Sequence, residues 1–199
     1  MKYFFFDLET TGLYYWKHSI HQIAGKIVVD GEVKEDFNIK MQPFPGAKIE
    51  ADALEVAGIK ENDLKSYMPF GVAYRELCGI LKNYVDKFDK KDKFHLVGYN
   101  NALFDNSFLR AMFVQNKDDY FGSWFWADSI DVMVLASHHL SGRRAEIKDF
   151  KLATVAKEFG VEVLEDSLHD AMYDINLTFD IFNKINNDKQ AIVDPIRRG

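Results

Sequence analysis

The chain opens on a short apolar run. Residues 2–8 read Lys-Tyr-Phe-Phe-Phe-Asp-Leu. A run this brief and aromatic, bounded by polar residues, predicts a buried strand over 2–8. Thr10-Thr11-Gly12 breaks it. A second strand is predicted over 20–29 and a third over 33–39, joined at Asp30-Gly31. That dipeptide supplies the left-handed backbone a two-residue hairpin needs. The antiparallel meander ends at Pro43, Pro45 and Gly46. Short helices are predicted over 52–57 and 61–66. Ala73, Leu77, Ile80, Leu81, Tyr84 and Val85 recur at helical spacing and predict a longer helix over 70–88. Alternating charges over 86–93 read as a solvated turn. An apolar strand over 94–99, an amphipathic helix over 102–114 and a short strand over 124–126 follow. Asp128 or Ser129 is then placed to cap a helix over 132–139. The polar stretch 141–149 reads as a mobile loop, and helices over 152–159 and 171–185 complete the pattern. This order predicts an α/β fold, a mixed sheet with helices on both faces. It also predicts one domain over 1–185 and a short polar tail over 186–199.

Composition narrows the class. The chain has 199 residues, 47% of them hydrophobic and 15% aromatic, which excludes a disordered segment and fits one compact domain. A lone Cys78 excludes a disulfide scaffold or a cysteine-based zinc site. It points to a reducing, cytoplasmic setting. The first apolar run is stopped by Asp7, too early for a signal peptide, and no later stretch approaches a membrane span. The net charge of −6 argues against a generic basic nucleic-acid binder. It does not argue against an enzyme whose acids hold metal ions that in turn meet phosphate.

Three acidic clusters carry candidate chemistry. Asp7 and Glu9 lie two apart at the end of the first strand and so share a face. Two such carboxylates are tolerable side by side when one is protonated or a cation lies between them. Asp105 closes Asn101-Ala102-Leu103-Phe104-Asp105, directly after an apolar strand and at a predicted helix start, where negative charge is favoured. The third cluster is His169-Asp170-Ala171-Met172-Tyr173-Asp174. His169 and Asp174 converge if the histidine precedes the helix and the aspartate lies in its first turns. Taken singly, each cluster is more often an acidic strand end, a charged helix start or a cap.

Together the clusters resemble the DnaQ-like 3′–5′ exonuclease family, in its subgroup with a histidine in the third motif. The matching stretches are residues 6–13 (Phe-Asp-Leu-Glu-Thr-Thr-Gly-Leu), 101–105 and 169–174. Asp128-Ser129 and the helix preceding the third motif fit the same pattern, which covers most of 2–182. One position departs from it: Asn100 stands where the family often has a histidine. The resemblance implies an RNase H-like mixed five-stranded sheet flanked by helices. It implies that Asp7, Glu9, Asp105 and Asp174 hold two divalent ions, Mg²⁺ or Mn²⁺, with His169 as general base. Thr10, Thr11, Gly12, Leu13, Asn101 and Phe104 are the implied substrate contacts. The implied partner is a nucleic acid with a free 3′ end, single-stranded DNA first and RNA second, as in proofreading exonucleases or RNase T.

Other features stay open. Tyr14, Tyr15 and Trp16 are stacking candidates or ordinary packing. Arg143, Arg144, Lys148, Lys151, Arg197 and Arg198 either meet a phosphate backbone or are simply solvated. His18, His21, His138 and His139 are read as structural or surface residues. A non-catalytic end-binding module and a structural subunit docked on a polymerase are the readings from other classes, and a homodimer is compatible with the sequence.

Overall fold

The computed structural model describes residues 1–168 and 170–197, with side chains as far as 187. Strands β1 (Lys2–Thr10), β2 (Ile20–Val29), β3 (Glu32–Lys40), β4 (Phe94–Gly98) and β5 (Phe125–Asp131) form one sheet in the order β3-β2-β1-β4-β5. β1 runs antiparallel to β2 and parallel to β4, and β4 runs parallel to β5. The meander builds the antiparallel half, and helical crossovers build the parallel half. At the β2–β3 turn, Asp30 and Gly31 have φ of 52° and 87°. Both left-handed values match the twist of the flanking strands.

The helices are α1 (Ala51–Val56), α2 (Glu61–Leu64), α3 (Phe70–Lys82), α4 (Asp105–Gln115), α5 (Phe121–Trp124), α6 (Val132–His139), α7 (Leu152–Glu158) and α8 (Ala171–Arg197). The alternation of β1 divides the core between two faces. Phe4, Phe6 and Leu8 pack with Leu77 and Leu81 of α3 and Phe108 and Met112 of α4. Phe5 packs on the opposite face with Val132 and Ala136 of α6, Val155 of α7, and Ile175 and Ile181 of α8. Burying each such side chain stabilises the fold by about 1.5–3 kcal/mol. β1 is therefore clamped from both sides. Asp7 and Glu9, in phase with Phe5, fall on the face that carries α8.

Several boundaries differ from the expected ones. α3 ends at Lys82, not at 88. Beyond it, the carboxylates of Asp86 and Asp89 accept from the backbone N–H of Phe88 and Lys91, turns that compete with helix. α4 starts at Asp105 rather than 102, because Asn100 adopts φ 56° and turns the chain first. Asp128 and Ser129 cap nothing. Both lie inside β5, and Asp131 caps α6 through the Met133 N–H at 3.0 Å. Ser141–Glu146 forms a 3₁₀ turn instead of an open loop, with Arg143 paired to Glu158. The last helix runs past 185 to Arg197. Among the described residues, no helix is long and apolar enough to cross a membrane.

Candidate active site

The site lies beyond the carboxyl ends of β1 and β4, where open α/β sheets place their ligands. Asp7 and Glu9 come from the end of β1, and the β1–β2 register slips between Glu9 and Thr10. A bulge there re-aims the side chains beside it. The turn after β4 delivers Asp105 at the start of α4. Three features hold that turn. A Cβ on Gly98 would stand 2.8 Å from the Asn101 Cβ, so only glycine allows the approach. The Asn100 N–H donates to the Asp131 carboxylate at 3.0 Å. Asn101 is fully buried; its carbonyl accepts from the Asn106 N–H at 3.1 Å, and its Nδ2 donates to Asn106 Oδ1 at 3.3 Å. Asp174 enters from the first turn of α8.

The loop after Glu9 is equally fixed. The Thr10 hydroxyl donates to the Gly12 carbonyl at 2.9 Å, and the Thr11 hydroxyl to the Lys48 carbonyl at 2.7 Å. Thr11 Oγ1 also accepts from the Ser19 N–H at 2.9 Å. Buried His18 accepts from the Tyr14 N–H at 2.9 Å through Nδ1, while its Nε2 stands 3.0 Å from Glu50. Gly12 has φ 154°, and a Cβ there would meet the His18 ring at 2.7 Å. Thr10, Thr11 and Gly12 thus sit buried as scaffold, while Leu13 projects outward, 68% exposed.

The four acids form one electrostatic cluster. Burial, then Asp105, Glu9 and Asp174, holds the Asp7 carboxyl well above its ordinary range. Burial and the charges of Asp174 and Asp170 push Glu9 up to about 7. Burial also pushes Asp105 up to about 7, against backbone hydrogen bonds that pull it down. Carboxylates so placed favour protons or a cation. Hard oxygen donors of this kind suit Mg²⁺ or Mn²⁺ better than soft metals. Among the described residues, no three His, Cys, Asp or Glu side chains close on one point as they stand. His169 lies outside the described residues.

A cleft of about 680 Å³ extends from Asp7 and Asp174 past Tyr99, Phe150 and Lys151. The Tyr99 hydroxyl donates to the Phe150 carbonyl at 2.6 Å, and the Arg144 guanidinium lies 4.3 Å from the Phe150 ring centroid.

A family model described as Exonuclease matches residues 4–182. The chain belongs to this exonuclease family. Ribonuclease T of Hahella chejuensis is 31% identical over 191 residues, covering 91% of this chain and 81% of that protein. The PolC-type DNA polymerase III of Streptococcus thermophilus is 28% identical over 176 residues, covering 88% of this chain. The exonuclease spans only 10% of that polymerase's length. Among solved structures, E. coli Exonuclease I in complex with a dT13 oligonucleotide superposes with a TM-score of 0.74 at 20% identity. That match covers 97% of this chain and 42% of that one. This likeness is one of fold, and it agrees with the RNase H-like sheet expected from the motifs. Exonucleases of this family generally use divalent metal ions; one E. coli Exonuclease I structure holds zinc.

Within the exonuclease, Asp7 and Glu9 from β1, Asp105 from α4 and Asp174 from α8 come near enough for their charges to act on one another. Phe104 is partly buried, its ring 4.9 Å from that of Phe108. Sequence reasoning passed over Leu103, which is 92% exposed beside Asp105. An apolar residue in a turn next to a candidate ligand was its only signal. Tyr99 and Phe150 carried no signal, because they meet across 51 positions of chain. Of the basic residues, Lys151 lines the cleft and Arg143 is tied to Glu158. The side chain of Arg197, and Arg198 altogether, lie outside the described residues. His18 and His21 are buried.

Proposed function

We propose that this exonuclease hydrolyses the terminal phosphodiester of single-stranded DNA from the 3′ end and releases nucleoside 5′-monophosphates. The observation that carries this reading is the convergence of Asp7, Glu9, Asp105 and Asp174 into one cluster of mutually repelling carboxylates. These four would hold two divalent ions, Mg²⁺ or Mn²⁺. Bound there, the ions supply Lewis acidity and neutralise charge on the attacking and leaving oxygens. His169 takes the proton of the attacking water, a role suited to an ordinary histidine pKa of about 6.5. The rigid Thr10-Thr11-Gly12 loop lies against the terminal sugar. Leu13 and Leu103, both exposed and each within four residues of a cluster acid in sequence, frame the terminal base with Phe104. Asn101 acts from within by holding the turn that presents Asp105. The protein works in a cytoplasmic setting.

A second reading is trimming of RNA 3′ ends. The match to a ribonuclease T along most of that protein's length favours it. Matched DNA and RNA single strands, labelled at the 5′ end, separate the two. The first reading predicts a descending ladder in Mg²⁺ or Mn²⁺, faster on DNA, with 5′-monophosphates as product. Faster shortening of RNA selects the second reading. Product that accumulates as 3′-phosphates, or cleavage from the 5′ end, contradicts both.

A further inference from the structure

Tyr15 and Trp16 stand at the outer edge of the fixed loop, 42% and 66% exposed. Their rings meet edge to face with centroids 5.0 Å apart, and Trp16 lies 5.0 Å from the Tyr14 ring. Behind them, Tyr14 stacks on the buried His18 at 5.8 Å. The pair is therefore an exposed aromatic wall held from the rear, not a floppy surface tract. Facing it, α4 presents Asn106, Ser107, Arg110 and the 61%-exposed Val114. Between wall and helix runs a groove of about 520 Å³ whose lining includes Ala102, Ala111 and Ala127.

Two properties identify the ligand. Among the described residues no Asp or Glu lines the groove, although the chain carries a net charge of −6. The lining of the groove is also continuous in sequence with the candidate site. Ala102 follows Asn101, and Asn106 follows Asp105. An aromatic wall, a lining of small residues, amide and hydroxyl groups and a single guanidinium match an unpaired base and its phosphate. A paired, stacked base hides the face that such a wall engages.

We infer that this groove holds the nucleotides directly upstream of the scissile bond, with bases stacked on Tyr15 and Trp16 and a backbone phosphate paired with Arg110. The inference rests on the exonuclease reading above and adds the path of the strand. It makes the enzyme selective for single-stranded ends. It also makes turnover rise with the first nucleotides added upstream, then level off.

The test is kcat/KM in Mg²⁺ on dT2, dT3, dT5 and dT10 for wild type, Trp16→Ala, Trp16→Phe and Arg110→Gln. The readout is the ratio of dT5 to dT2. In wild type that ratio exceeds one. Trp16→Ala lowers it roughly tenfold, within the range of base–aromatic stacking, and Trp16→Phe restores most of it. Arg110→Gln lowers it and flattens the salt dependence by about one phosphate contact. Thermal unfolding of each variant confirms that it is folded. Ratios equal to wild type in the variants, or equal losses on dT2 and dT5, overturn the inference. If wild type shortens no oligonucleotide of any length, the exonuclease reading itself fails and the inference falls with it.

Discussion

Burial and the carboxylates of Asp105, Glu9 and Asp174 oppose the charge of Asp7, outweighing the backbone hydrogen bond from Leu8 that favours it. Its folded pKa lies above the unfolded one. The contribution of the protonated form is thus complete below about pH 4 and is lost as pH climbs through the folded value. Glu9 and Asp105, both near 7, behave the same way. In EDTA at pH 8, Asp7→Asn is therefore expected to unfold at a higher temperature than wild type, with the two converging near pH 4. An Asn variant no more stable than wild type at pH 8 would contradict the repulsion described. His21 carries the opposite sign. It is fully buried, and burial, aided by the charge of Lys40, lowers it to about 4 against a backbone hydrogen bond that raises it. Its neutral form is favoured, so its contribution is present above about pH 6.5 and is lost as pH falls toward 4. His21→Leu removes that dependence. The difference in unfolding free energy between variant and wild type should move by about 2–3 kcal/mol in the variant's favour between pH 7.5 and pH 4. A constant difference would show that His21 does not resist protonation.

At the scale of elements, the acids are aimed by turns more than by strands. Gly98 lets Asn101 lie against the end of β4, and that contact fixes where α4 begins. Gly98→Ala pushes the Asn101 side chain aside and moves Asp105. The expected result is a fall in kcat of roughly 10²-fold with far-ultraviolet circular dichroism unchanged. Activity within twofold of wild type would show that the turn does not set the site. This scale also divides what the sequence makes legible from what it hides. The strands were readable because Phe4, Phe5 and Phe6 are buried on alternate faces of a central strand, and the Asp30-Gly31 hairpin because two left-handed residues are written into it. The end of α3, the start of α4 and the cap of α6 were not. Each depends on a local competition: Asx turns at Asp86 and Asp89, a left-handed Asn100, and the pairing of β5 with β4 that carries Asp128 and Ser129 into a strand. The three motifs, taken together as a family resemblance, pointed to Asp7, Glu9, Asp105 and Asp174, whose charges reach one another in the fold. The cleft wall at Tyr99, Phe150 and Lys151 was not legible, because it exists only once the segment before α7 meets the turn after β4, where the Tyr99 hydroxyl donates to the Phe150 carbonyl.

Across the whole molecule, two hydrophobic cores grip one strand, and the acids sit where that grip ends. Repulsion of this kind predicts a fold that is stabilised by cations. A divalent ion at 100 times its Kd adds about 2.7 kcal/mol, or a rise in Tm of roughly 5–10 °C for a domain this size. Protons compete for the same oxygens, so the rise should be larger at pH 8 than at pH 5. Equal shifts at the two pH values would place the ion elsewhere. His169 is tested through activity: His169→Ala should lower the rate about 10²–10⁴-fold while leaving the Mn²⁺ isotherm intact. Loss of metal binding in that variant would reassign the residue from base to ligand.

The central claim is that the four carboxylates hold the ions that hydrolyse a terminal phosphodiester. Its most direct measurement is the rate at which a 5′-labelled single strand shortens in Mg²⁺, in EDTA, and with Asp7→Asn in Mg²⁺. Stepwise shortening from the 3′ end by wild type in Mg²⁺, abolished both by EDTA and by Asp7→Asn in a folded protein, is the expected result. Shortening that survives either the chelator or the substitution would contradict the account.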